Sequence, residues 1–101
     1  MTNYSISIYQ CPAETEYCFR DYDEDKFNFS DYAIVYEGNF IPTHIWNETN
    51  AENEVLELIF EQFNREYPKN YAGRSLSVSD IVCVNGRYYY CEPMGWYRLD
   101  I

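Results

Sequence analysis

Polar and apolar positions alternate along Asn3–Gln10. Tyr4, Ile6 and Ile8 fall on one side, and Ser5, Ser7 and Tyr9 on the other. This two-residue period predicts a half-buried strand, which Cys11-Pro12 ends. Ala13–Glu16 reads as a polar connection, and Tyr17-Cys18-Phe19 as either a short strand or a packed loop. Phe27-Asn28-Phe29 is apolar enough for strand or core. Ala33-Ile34-Val35-Tyr36 is the better strand candidate, and Gly38-Asn39 signals a turn. Phe40–Trp46 is irregular.

The period then changes. Thr49/Asn50 opens a helix running to about Arg65, with Thr49 and Glu52 at capping-box spacing. Val55, Leu56, Ile59, Phe60 and Phe63 form one apolar stripe, the predicted core face, and Glu54, Glu57 and Glu61 lie opposite it. Such an acidic row forgoes the i,i+4 pairing that interleaved lysines would give. Pro68 follows the helix.

Residues 73–96 read as loop, strand, turn and strand. Ile81-Val82-Cys83-Val84 is rich in β-branched residues, which suit a pleated surface. Asn85-Gly86 tolerates the positive φ of a type I′ hairpin turn. Arg87–Glu92 returns with three consecutive tyrosines, Pro93 stops it, and Trp96–Leu99 supplies a third strand. A two-residue loop sets Val84 opposite Arg87, Cys83 opposite Tyr88, Val82 opposite Tyr89 and Ile81 opposite Tyr90. Cys83 and Cys91 then point to opposite faces and do not pair. Both faces carry apolar or aromatic side chains, so the sheet should be covered on both sides. The predicted fold class is α+β. It is a single domain over residues 1–101, with one main amphipathic helix on a small, mostly antiparallel sheet that includes 80–84 and 87–92.

Composition adds two features. Aromatics make up 20% of the 101 residues, including 12 tyrosines, and the formal net charge is −10. Residues 1–66 carry 14 acids against 3 bases, whereas residues 67–101 carry 3 against 4. Phosphates would be repelled, so direct binding to nucleic acid is disfavoured, and attraction to a basic surface is favoured. The sequence has no apolar run near ~20 residues and no secretory leader pattern, which sets a cytoplasmic location as the expectation. Cys11, Cys18, Cys83 and Cys91 contain no CxxC spacing and are expected to be buried free thiols.

Candidate chemistry is sparse. Asp21-Tyr22-Asp23-Glu24-Asp25 shares the D-x-D-x-D start of a calcium loop. Lys26 stands where that loop needs Gly, and Tyr32 where it needs a bidentate Glu. The run is therefore either a solvated acidic loop or an acidic recognition surface. His44 has no serine or cysteine placed near it by any motif. Neither a metal site nor a cofactor is predicted, and the chain is not expected to be an enzyme. Arg74, Ser75, Ser77, Ser79 and Asp80 either satisfy backbone groups before the strand or form part of a binding edge.

From Phe63-Asn64 through Pro68, Tyr71-Ala72-Gly73-Arg74-Ser75-Leu76-Ser77-Val78-Ser79-Asp80-Ile81-Val82 and on to Gly95-Trp96, the chain resembles the YodL-like domain family. The resemblance covers roughly residues 55–99 and leaves out the acidic front half. It implies a small α+β domain of Firmicutes mobile elements and phages, often fused into larger proteins or found beside antirestriction functions. It carries no catalytic residues. Here the domain is expected to stand alone.

Smallness, acidity and aromatic richness, together with that resemblance, lead to one expectation. The chain would inhibit a host nucleic-acid enzyme, in the manner of an anti-CRISPR or antirestriction protein. An acidic, DNA-mimicking surface would occupy a basic nucleic-acid-binding channel inside the host bacterial cell. Asp21, Asp23, Glu24 and Asp25 and the helix row Glu54, Glu57 and Glu61 would supply charge, and Tyr22 and Tyr32 would supply buried contact. The alternative is a non-catalytic protein–protein adaptor.

Overall fold

The computed structural model describes residues 3–42 and 51–101. Among these residues, five strands form one antiparallel sheet: β1 (Tyr4–Gln10), β2 (Ala33–Phe40), β3 (Ile81–Val84), β4 (Arg87–Glu92) and β5 (Gly95–Leu99). They lie in the order β2-β1-β3-β4-β5. Among the described residues one α-helix, α1 (Ala51–Arg65), packs on one face. The expected helix start at Thr49/Asn50, its capping box, His44 and the rest of the Phe40–Trp46 stretch beyond residue 42 lie outside the described residues.

The hairpin has the register that its turn dictates. Val84 faces Arg87, Cys83 faces Tyr88, Val82 faces Tyr89 and Ile81 faces Tyr90. Asn85 (φ 49°) and Gly86 (φ 84°) both sit at positive φ, as a type I′ turn requires. The same asparagine ties the turn to β1: its side-chain oxygen accepts from the Ser5 N–H at 2.9 Å, and its own N–H donates to Ser5 O at 2.8 Å. All four cysteines are buried free thiols.

Two expectations about the front half are corrected. Asn3–Gln10 is not half-buried. β1 is flanked by β2 and β3 and covered on both faces, with Ser7 and Gln10 buried as well as Ile6 and Ile8. Gly38-Asn39 is not a turn, because both residues are inside β2, paired with Ile6 and Ser5. Gly38 is there for room. A Cβ at that position would stand 2.5 Å from the Tyr36 hydroxyl, since the Tyr36 ring lies along the strand over it. Tyr17-Cys18-Phe19 is a turn-rich loop rather than a strand, and Phe29–Asp31 is one turn of 3-10 helix capped by the Asn28 side chain.

The helix buries Val55, Leu56, Ile59 and Phe63 against Ile6, Ile8, Val82 and Val84. Phe60 departs from the expected core. It is half-buried at the border of the stripe, edge-on to Trp96 at 6.3 Å. The opposite face of the sheet is covered by residues 11–32, which contain no strand and no α-helix. A layer without regular structure has no periodic face to bury, and here large rings fill it. Tyr22, Phe27, Phe29 and Tyr32 close over Ile81, Tyr90 and Leu99 in edge-on and tilted contacts. Much of the aromatic excess is therefore core material. Among the described residues, no helix is long and apolar enough to cross a membrane.

Candidate functional site

The polar run before the hairpin serves the interior. Asp80 is fully buried at the start of β3. Its carboxylate accepts from the Ser77 N–H (2.7 Å), Gln10 Nε2 (2.9 Å) and an Arg74 guanidinium nitrogen (3.3 Å). Arg74 also donates to Cys11 O (3.0 Å), and its guanidinium lies 5.0 Å from the centre of the Phe19 ring. Burial outweighs these donors and pushes the Asp80 carboxyl up to about 6. Ser79, also fully buried, holds φ 82°, and its hydrogen bonds fix it there. Its N–H donates to Cys91 O, its Oγ accepts from Phe19 N–H, and its carbonyl accepts from the Tyr32 hydroxyl at 2.6 Å. Of the two readings of this run, the backbone-satisfying one matches the geometry of Ser77, Ser79 and Asp80.

That network also claims part-buried Tyr32, one of the expected interface anchors. Its hydroxyl is spent on Ser79 and its ring packs against Tyr17, Phe27 and Phe29, where burial pushes the phenol well above its ordinary range.

The loop 21–25 is held in a set shape. Asp23 Oδ1 accepts from the Asp25 N–H at 3.0 Å, and Asp23 O accepts from the N–H groups of Lys26 and Phe27. The Tyr22 N–H donates to Glu92 at 3.2 Å. The Tyr22 ring stacks on Tyr97 of β5 (4.4 Å, 19°) and meets Tyr90 edge-on (5.3 Å). Burial raises the Tyr22 phenol. Asp21, Glu24 and Asp25 stay exposed, and no ion pair engages their side chains among the described residues. Arg20 and Lys26 line the same depression, with Lys26 paired to Glu16 at 3.1 Å.

The helix acids are more committed than their spacing suggested. Glu57 accepts from the indole N–H of Trp96 at 3.0 Å, Glu61 pairs with Arg65 at 2.6 Å, and Glu52 takes Arg87 with both oxygens at 3.0 and 3.1 Å. Glu54 is half-buried and also engaged.

The helix row and the 21–25 loop lie on opposite faces of the sheet and do not merge into one patch. They approach each other at β5 and the end of β4, where Glu92 accepts from the Tyr22 N–H. Trp96 reaches Glu57 on the helix side, while Tyr97 carries Tyr22 on the other. Sequence reasoning did not single out Trp96, Tyr97 or Glu92. Its available signal was the adjacent Trp96-Tyr97 pair, whose rings must point to opposite faces of the last strand.

Among the described residues, no group of three or more His, Cys, Asp or Glu side chains is placed to hold a metal ion. Burial raises the thiols of Cys18 and Cys91, the latter to about 12, which disfavours a reactive thiolate at either.

The family model described as YodL-like domain matches residues 5–101. The match takes in the acidic front half, beyond the 55–99 span that the sequence motifs carried. No curated protein and no solved structure matches the chain.

Proposed function

The chain belongs to the YodL-like domain family, and on that premise we propose that it is a non-catalytic inhibitor whose acidic surface binds a basic, nucleic-acid-binding surface of a host enzyme. The observation that carries this reading is the 21–25 loop. Its backbone is fixed by Tyr22, Glu92 and Asp23, and yet Asp21, Glu24 and Asp25 project without ion-pair partners among the described residues. A preset array of carboxylates loses little conformational freedom on binding. It also attracts a cationic channel from a distance. Glu57 and Glu61 contribute field rather than free ligands, because each already has a neighbour.

A second reading, an adaptor whose partner need not handle nucleic acid, is favoured by that same engagement of the helix acids. The free carboxylate array is smaller than the net charge of −10 implies.

The test is competition. The protein is titrated into a complex of a captured host enzyme with its DNA or RNA. Displacement that weakens with salt, and that is lost on reversing Asp21, Glu24 and Asp25 together, supports the inhibitor. Simultaneous binding with no loss of nucleic-acid affinity replaces it with the adaptor.

A further inference from the structure

The two outer strands of the sheet are treated differently. β2 is partly covered, because the Ala72 N–H donates to Val35 O at 2.9 Å and residues 71–74 run beside it. The outer side of β5 accepts no hydrogen bond from, and donates none to, any described residue. Antiparallel pairing fixes which groups it presents. Gly95, Tyr97 and Leu99 stand opposite Glu92, Tyr90 and Tyr88. The two-residue Pro93-Met94 loop makes these the mutually hydrogen-bonded pairs. The N–H and C=O groups of Trp96 and Arg98 therefore point away from the sheet.

Edge strands are normally protected by a bulge, a proline or several charges. β5 has an unbroken register, no proline and one charged residue, Arg98. Met94 and Tyr97 beside it are exposed. Its surroundings select the occupant. Glu57 flanks it on the helix side, Glu92 and the Asp23-Glu24 segment flank it on the Tyr22 side, and Asp100 follows it. A second copy of a chain of net charge −10 would be repelled there.

We infer that the outer edge of β5 takes an extended, basic segment of a partner protein as a sixth strand. This deepens the proposed function and rests on its basic partner. Main-chain bonds to Trp96 and Arg98 supply the affinity common to such strand addition, and lysines or arginines at alternate positions line one face of the added strand and reach the acids on that side.

The probe is a labelled peptide of about ten residues, alternating lysine and valine, long enough for one strand. Binding at low salt is followed by anisotropy, and amide exchange is followed by NMR on the intact protein. The expected result is that the Trp96 and Arg98 amides exchange freely alone and gain about tenfold or more protection with the peptide. Arg98→Pro, which removes an outward N–H and no ladder bond, should weaken binding by about tenfold, and Arg98→Ala should not. The exchange measurement stands even if the proline variant fails to fold. Peptide binding without protection at these two amides overturns the edge and leaves the basic-partner reading intact. No peptide binding overturns the edge. Protection already present in the free protein, with a dimer by light scattering, means that a second copy occupies β5, and it overturns the inference as well.

Discussion

Replacing Asp80 by Asn tests the reasoning about the buried polar network. The carboxylate is fully buried and receives three donors, from Ser77, Gln10 and Arg74. Two effects compete. The donors favour the ionised form, and burial disfavours it. Burial wins, with the folded-state value near 6 against 3.8 in the unfolded chain. The sign follows from linkage. A group whose pKa is raised on folding contributes most below its unfolded value, and that contribution is lost as pH rises through the folded one. The full loss is about 3 kcal/mol, from a shift of about two pKa steps at 1.36 kcal/mol each. Between pH 5 and 7.5, a window that avoids precipitation near the isoelectric point, it is on the order of 1 kcal/mol.

Asp80→Asn removes the titration. It also turns one acceptor into a donor facing Gln10 or Arg74, so the variant should be less stable at every pH in the window. The informative quantity is the change in that deficit. Urea unfolding at pH 5 and at pH 7.5, followed by far-ultraviolet circular dichroism, should give a deficit smaller by roughly 1 kcal/mol at the higher pH. Taking the difference between the two proteins cancels the titration of the other acids. Parallel pH dependences would mean that Asp80 is not shifted. A deficit that grows with pH would mean that Arg74 and the two other donors outweigh burial, and the argument would be refuted.

Three further outcomes follow from the packing. Ile59→Ala, fully buried under the sheet, should cost about 2–5 kcal/mol, whereas half-buried Phe60→Ala should fall clearly below the ~3–5 kcal/mol of a buried phenylalanine; chemical denaturation ranks the two, and equal losses would refute the placement of Phe60. Tyr22→Ala removes the stack on Tyr97, worth about 0.5–1.5 kcal/mol, and should raise amide exchange across residues 20–27 while leaving β1 and β3 protected; unchanged exchange would mean the loop is held by something else. Gly38→Ala forces the Tyr36 ring off its contacts with Phe63 and Tyr71 and should cost about 1–3 kcal/mol, read from the urea midpoint; a neutral result would show that Tyr36 swings away freely.

What was legible in the sequence was local. Asn85-Gly86 set a register that needs no distant residue, and the Val55–Phe63 stripe announced its own face. What was not legible depended on partners far along the chain. Gly38 looks like a turn until the Tyr36 ring is seen lying over it. Residues 11–32 have no period because their layer is held by bonds such as Tyr32 to Ser79 and Tyr90 to Arg20, 47 and 70 positions apart. The resemblance faded in the same region, although the family match runs through it.

The same distinction governs the functional reading. Charge and tyrosine content are additive in a sequence, but availability for binding is not. Trp96 engages Glu57 across 39 positions, Arg87 engages Glu52 across 35, and Tyr32 is turned inward. Among the described residues, subtracting the charges and edges that the fold uses leaves two features for the proposed interaction. One is the free carboxylates of the loop that Tyr22 anchors, and the other is the open backbone edge of β5. Tyr22 stacks on Tyr97, so the two are adjacent by construction. A partner that pairs with the edge is brought beside the carboxylates, and one drawn by the carboxylates is brought beside the edge. Neither the net charge nor the last strand specifies a partner alone. Their juxtaposition suits the proposed partner, a segment that is both extended and basic.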